Sequence, residues 1–401
     1  MNDSTRAKTG IAFIAILSAL MAFTSLSTDI YLPAMPEMSR SLHGDAALTV
    51  TGFLIGFAVA QLVWGPISDR FGRKRPLYIG MILFTVGSAG CALSTEMHQI
   101  VFWRVFQAAG ACTGPMLARA MIRDLFSRTR AAQMLSTLII VMAIAPIAGP
   151  LLGGQIIRYS HWPVIFWCLS AVGVLMFVAL LWLPETLPPE KRRGASLGGA
   201  FATYLQLLKN RSFMRYTLCV TFYYVAVYAF IVGSPSVYIS GFGVDPQHYG
   251  WLFAVNIIGV VGMSFINKRL VQRFPLEQML KTAATVASVM AVLMCLTLEI
   301  FPAGMIAMAA CIFVFFSMNG IIAASATAAA LDAVPGNAGS ASALIGALQY
   351  GSGIISSLML AWLNNGTPWA MVGIMTVFTL LSGLMALGRK STRSHPGDNT
   401  Q

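Results

Sequence analysis

The chain alternates long apolar runs with short polar ones. A helix that crosses a bilayer needs about 20 mostly apolar residues. Twelve stretches qualify, at 11–32, 48–67, 77–93, 100–118, 135–157, 164–183, 216–239, 250–266, 279–298, 303–324, 341–363 and 369–387. The runs are continuous and do not alternate, which excludes a transmembrane β-barrel. Only Glu299 and Pro302 interrupt the stretch between the ninth and tenth. Arg6 and Lys8 precede the first run as they would in a secretory leader. Ile11 to Leu32 is too long for a cleaved core, so it is read as the first membrane helix. The expected fold is all-α: a polytopic membrane protein with twelve transmembrane helices in two six-helix halves. Residues 1–183 form the first half and 213–401 the second, joined by a cytoplasmic linker at 184–212.

Composition supports this division. Of 401 residues, 57% are hydrophobic and 10% charged, against about 25% charged in a soluble domain. Too little polar surface exists to wet a globule. The formal charge of +12 would suggest nucleic acid in a soluble protein. Placing the N-terminus in the cytoplasm puts 23 Lys/Arg in inner segments and two, Arg40 and Arg158, outside, with Arg104 inside a span. The positive charge is therefore a topology signal, with both termini cytoplasmic, and no nucleic-acid partner is expected. The six cysteines fall inside apolar runs without metal-ligand spacing, and read as small buried hydrophobes. No Walker loop, HExxH or nucleophile elbow is present, so neither ATP-driven transport nor an enzyme is expected, and no metal or cofactor. Two six-span halves around a central path suit a secondary transporter.

After the second span stands Gly65-Pro66-Ile67-Ser68-Asp69-Arg70-Phe71-Gly72-Arg73-Lys74-Arg75. Gly65 would let helices approach, Gly72 would permit a tight turn, and Asp69 could pair with the basic run around Arg70 and Arg73. This segment resembles the loop signature of the major facilitator superfamily. The resemblance implies that it braces a cytoplasmic gate, with Asp69 facing the N-terminus of the eleventh span near Gly339 and Ser340, where the helix dipole favours a carboxylate. In the fifth span, Pro150 kinks the helix while Gly149 and Gly153, followed by Gly154, offer a face for close packing. Pro146 to Gly154 resembles the antiporter signature of that superfamily, which implies export.

Three further segments, Ser27 to Pro36, Arg104 to Gly110 and Leu183 to Leu187, are similar to the Bcr/CflA (bicyclomycin resistance) group of drug:proton antiporters. One departure is Ala108, where the superfamily pattern usually has Gly; the added methyl makes close helix approach there less certain.

Ionisable residues inside a span are costly and point to function. Asp29 and Arg104 are the one acid and one base there, both near the outer ends of their spans. Ser18, Ser25 and Asp29 share one helix face, and Arg104, Gln107, Ala108 and Ala111 another; both are expected to turn toward a central cavity. Asp29 would take a proton from outside and release it inside, with Arg104 holding the carboxylate ionised between events or orienting the substrate. A sole carboxylate implies one proton per cycle. Tyr31, Gln61, Gln107, Tyr224, Tyr228, Asn256, Asn319 and Gln349 are candidate substrate contacts, because mixed aromatic and amide walls suit a large amphipathic molecule.

The expected function is a monomeric, proton-coupled multidrug-efflux antiporter of the cell inner membrane, with a small-molecule substrate, protons and the lipid bilayer as partners. The alternatives are export of a natural metabolite such as an amino acid or dipeptide, or an uptake permease of the same superfamily.

Overall fold

The computed structural model describes residues 11–126, 128–192, 197–300, 304–334, 338–363 and 367–388. Long helices dominate them, because in a bilayer each backbone N–H and C=O must find its partner within the segment. In chain order they are α1 (Ile11–Asp29), α2 (Met35–Ser41), α3 (Ala47–Phe71), α4 (Lys74–Leu93), α5 (Met97–Leu125), α6 (Arg128–Tyr159), α7 (Pro163–Ala179) and α8 (Leu197–Lys209). They continue with α9 (Arg211–Pro235), α10 (Pro246–Leu270), α11 (Leu276–Ile300), α12 (Met305–Ser317), α13 (Asn319–Asp332), α14 (Ala338–Leu363) and α15 (Trp369–Leu387). A 3-10 turn, Leu32–Ala34, joins α1 to α2.

Among the described residues, ten segments are long and apolar enough to cross a membrane, and α12 with α13 makes one of them. The long helices α5 and α6, of 29 and 32 residues, bring the passes to twelve. Phe102, Trp167, Leu175, Leu296 and Trp362 are exposed on the outside of the bundle. Lipid tails are as apolar as these side chains, so leaving them outside costs little.

Several helices outrun the apolar runs that mark them. α5 extends from Met97 to Leu125, well past the expected 100–118, so Arg119 and Asp124 ride on the helix and not in a loop. Cys168 also departs from expectation: it is exposed, not buried.

Packing follows small residues. Gly52 and Gly56 of α3 lie against the backbone of Val101 and Val105 on α5. Gly110 of α5 lies against the Gly80 carbonyl and Phe84 of α4. Ala108 is fully buried, and in this part of α5 the close approach is made at Gly110. Two pairings join the first six spans to the last six: α3 with α14, and α6 with α10. The α3–α14 pair is antiparallel, since Thr51 donates to Ser357 at 2.6 Å while the Gln61 amide covers Gly346. The same register carries Asp69 to the first residues of α14, which begins at Ala338.

Candidate functional site

Arg104 is fully buried on α5. Its Nη1 donates to the Ser27 carbonyl of α1 at 3.0 Å and to Gln107 Oε1 at 2.5 Å, and its Nε donates to the Thr49 carbonyl of α3 at 3.3 Å. The Gln107 amide passes the chain on to Ser88 of α4 at 2.8 Å. The guanidinium lies over the rings of Tyr31, Phe53 and Phe166, at 4.5, 4.4 and 5.9 Å. A cation desolvated against aromatic faces gains from their quadrupoles. Tyr31 is held in turn by a hydroxyl contact with Thr49 at 3.0 Å. Arg104 thus ties five of the first six spans together from within, and Nη2 has no hydrogen-bond partner among the described residues.

This placement corrects the expectation of a shared central cavity. Tyr31, Arg104 and Gln107 are enclosed, each at 0% exposure, and apart from Arg104 Nη2 their polar groups are committed to one another, to backbone and to the Thr49 and Ser88 hydroxyls. Backbone carbonyls exposed by close helix packing supply the extra acceptors, and no side-chain pattern reveals them.

Asp29 ends α1 and is also buried, accepting from the Thr28 hydroxyl at 3.0 Å. It feels the Arg104 charge without touching it. On its other side Asp29 lies within electrostatic reach of Tyr228, Tyr249 and Tyr350, all from the last six spans. Gly149 and Gly153 of α6 seat directly on Asp29 and on the Ile30 carbonyl, while Gly154 meets Pro246 and Gln247 of α10. Leu151, from the same turn as Pro150, packs on Gly250. The glycine-rich turn therefore wedges α6 between α1 and α10 and closes the bundle at the Asp29 end.

Along the seam between the two sets of spans, aromatic rings form a ledge. Phe57 of α3 contacts Tyr350 of α14 at a ring separation of 4.0 Å, and Tyr228 of α9 stands 6.5 Å from Tyr350 and 6.4 Å from Tyr224. Tyr224 faces Asn319 of α13. Gln61 Oε1 and Asn319 Oδ1 have no hydrogen-bond partner among the described residues. Gln349 is half-buried beside Tyr350. Asn256 departs from this group, because its amide donates back to the Leu252 carbonyl of its own helix at 3.1 Å. Of the candidate contacts, Gln61, Tyr224, Tyr228, Asn319 and Gln349 belong to the seam. Tyr249 and Phe57, absent from that set, also belong to it.

The opposite end is a charge knot. Arg73 is buried, and its guanidinium donates to Asp69 at 2.6 Å, to Ser68 at 2.8 Å and to Asp124 of α5 at 2.9 Å. The Asp69 partner is thus Arg73, four residues on. Gly72 has φ +92, a conformation that disfavours side chains, with the Glu185 carboxylate close against it. A β-carbon at Gly65 would meet no atom within 4 Å among the described residues, so it mediates no close approach among them. Arg70 points outward over the Phe71 ring. Glu185 accepts from the backbone N–H groups of Arg73, Lys74, Thr186 and Leu187, at 2.9, 3.1, 3.0 and 3.0 Å. Partial burial pushes its carboxyl up, but four N–H donors, two at the start of α4 and two just after Glu185 itself, outweigh that and hold it below the usual carboxylate range. Glu185 had a sequence signal only as part of the Leu183 to Leu187 motif.

A twelve-pass bundle, closely packed on glycines at one end and knotted by charge at the other around an aromatic seam, is the architecture of a membrane transporter. The chain belongs to the Major Facilitator Superfamily, whose model matches residues 17–357. It is 33% identical to an uncharacterised MFS-type transporter, YdgK, of Bacillus subtilis, covering 100% of this chain and 99% of that protein. It is 30% identical to a bicyclomycin resistance protein homolog of Haemophilus influenzae, over 94% of this chain and 96% of that one. Multidrug resistance protein D of Escherichia coli is 26% identical, over 96% and 98%. The nucleoside transporter NupG superposes with a TM-score of 0.74 at 14% identity, covering 93% of this chain and 98% of that one. The xylose transporter XylE of E. coli gives 0.71 at 13%, covering 93% and 96%. These two likenesses concern fold alone.

Proposed function

We propose that this chain is a proton-coupled exporter of small amphipathic molecules, of the drug:proton antiporter kind. The observation that carries this reading is the seat of Asp29. The one carboxylate in the apolar part of the spans is buried at the sealed end, directly beneath Gly149 and Gly153. A carboxylate whose solvent access is governed by the same helix contact that seals the path is suited to exchange a proton for a substrate. The named relatives, a bicyclomycin resistance homolog and multidrug resistance protein D, support export.

In this reading the two six-helix halves, 1–183 and 213–401, rock about the α3–α14 and α6–α10 seams, with residues 184–212 as the link. The Arg73 end faces the cytoplasm of a bacterial cell and the protein works as a monomer in the inner membrane. When α6 lifts from α1, Asp29 is wetted and takes a proton from outside. When the bundle reseals there, the proton leaves toward the cytoplasm and the substrate binds at the aromatic seam. Arg104 acts as a positioning residue: it fixes the end of α1 through the Ser27 carbonyl and supplies the field that Asp29 feels.

Proton flux in inverted membrane vesicles with an acidic interior tests the proposal. Addition of a transported drug collapses the gradient with the wild type and not with Asp29→Asn. Equal collapse by both places coupling elsewhere. No response to a broad drug panel favours a narrow metabolite carrier.

A further inference from the structure

Arg119 is an exposed cation on the membrane helix α5, and nothing above uses it. It lies six residues, or ~9 Å, inside the Arg73 end of that helix, which finishes at Leu125. Its direction decides its meaning. The lipid-facing stripe of α5 is marked by the exposed rings of Phe102 and Phe106. At ~100° per residue, Arg119 stands roughly 140° around the helix from Phe106 and 100° from Phe102, off the lipid-facing stripe. Its charge lies within electrostatic range of Tyr350 of α14 and of the buried Cys112, so this face of α5 turns toward the last six spans. An exposed cation on that face is reached from the Arg73 end of the helix.

Arg119 is also short of partners. Its Nε donates to the Pro115 carbonyl of its own helix at 3.0 Å. Among the described residues it has no carboxylate within salt-bridge distance. The nearby acids at that end are engaged elsewhere, Asp69 and Asp124 with Arg73 and Glu277 with Arg215. Asp332, the last residue of α13, is exposed and has no salt bridge among the described residues.

We infer that Arg119, with the Phe57–Tyr350–Tyr228 ledge above it, forms an entry subsite for an amphipathic carboxylate. The ledge takes the apolar body and the guanidinium fork takes the carboxylate in a charge-assisted pair. A single isolated guanidinium matches one negative charge, and it repels the lipophilic cations that an acidic vestibule would gather. This rests on the export reading and sharpens it. Exporting a monoanion against one inbound proton moves two charges per cycle in the sense favoured by an inside-negative potential.

The test uses purified full-length protein in lipid nanodiscs and equilibrium dialysis of three matched probes: naphthylacetate, naphthylacetamide and naphthylethylammonium. The carboxylate is expected to bind about tenfold tighter than the amide, as one charge-assisted hydrogen-bond pair provides. Arg119→Gln should erase the difference and Arg119→Lys should keep most of it. A second arm needs no ligand. Met116→Cys places a thiol one turn away, and mass spectrometry of its peptide reads reaction with anionic and cationic methanethiosulfonates. The anionic reagent should be favoured with Arg119 present and lose that advantage in Arg119→Gln. Equal binding of amide and carboxylate, or a thiol preference indifferent to Arg119→Gln, overturns the subsite; if no probe binds, the thiol arm decides. Both arms read binding and field without transport, so an Arg119-dependent preference without drug-driven proton flux rejects export and leaves the subsite standing.

Discussion

Gly149 of α6 rests on Asp29 of α1 so closely that a β-carbon on the glycine would stand 3.2 Å from the Asp29 Cβ. One turn on, Gly153 is pressed against the Ile30 carbonyl. The glycine-rich motif and the buried acid, separate features of the sequence, are two sides of one contact.

That contact makes Gly153 intolerant of the smallest side chain. Gly153→Ala forces α1 and α6 apart at the sealed end, an overpacking cost of roughly 1–3 kcal/mol. The expected result is a lower thermal midpoint in detergent and a thiol at position 30 (Ile30→Cys) that reacts faster with water-soluble reagents. Unchanged reactivity would mean that this contact does not seal the path.

Arg104 and Asp29 should separate into stability and coupling. Arg104→Ala deletes a buried cation and orphans the Ser27 and Thr49 carbonyls and Gln107, at a cost of about 3–5 kcal/mol. Poor folding yield and a large fall in the thermal midpoint are expected. Arg104→Lys rescues little, because an ammonium cannot reach three acceptors and stack on Tyr31 and Phe53 together. Asp29→Asn, with one recorded hydroxyl donor, should shift the midpoint by less than about 1 kcal/mol while abolishing proton coupling.

Gly72 and Glu185 should respond together. Gly72→Ala places a side chain at φ +92 and against the Glu185 carboxylate. A loss of about 1–3 kcal/mol is expected from denaturant titration in detergent micelles.

The pH response of the same corner follows from the depressed Glu185 carboxyl. Its folded-state value lies below the unfolded one, so its contribution is complete above the ordinary carboxylate range near 4.5 and is lost as pH falls through the folded value. Thermal midpoints measured from pH 7 down to pH 3 should fall less steeply for Glu185→Gln than for the wild type, from a lower starting value. Parallel curves would deny Glu185 this role.

The drug-stimulated proton flux should depend on potential as well as on Asp29. With one membrane carboxylate, one proton is expected per cycle, and a neutral substrate then moves one net charge. Valinomycin clamps at different potassium gradients should change the flux of such a substrate; an electrically silent flux would contradict a single-proton exchange.

The membrane class, the spans and the family motifs were legible along the chain. The bilayer imposes a length and a polarity on each segment, and those are local properties of sequence. Asp29 stood out for the same reason, as an acid in an apolar run. Helix ends were less legible: α5 runs on to Leu125 because a helix does not stop where the hydrocarbon does, and this carried Arg119 from an expected loop onto the helix. The gate motif was recognisable, yet its partners Asp124 and Glu185 come from positions 51 and 112 residues beyond Arg73.

Periodicity could say that Arg104 and Gln107 share a face, but not which face of α5 meets the centre. Helix rotation is decided by contacts with several neighbours at once. Here the glycines of α3 and α4 draw α5 inward, and the carbonyls of Ser27 and Thr49 then claim the guanidinium. Backbone acceptors are the same at every position, so no residue pattern announces them. Hydropathy along the chain settles what crosses the membrane, whereas the side chains that stay free inside it are set by packing across helices far apart in sequence.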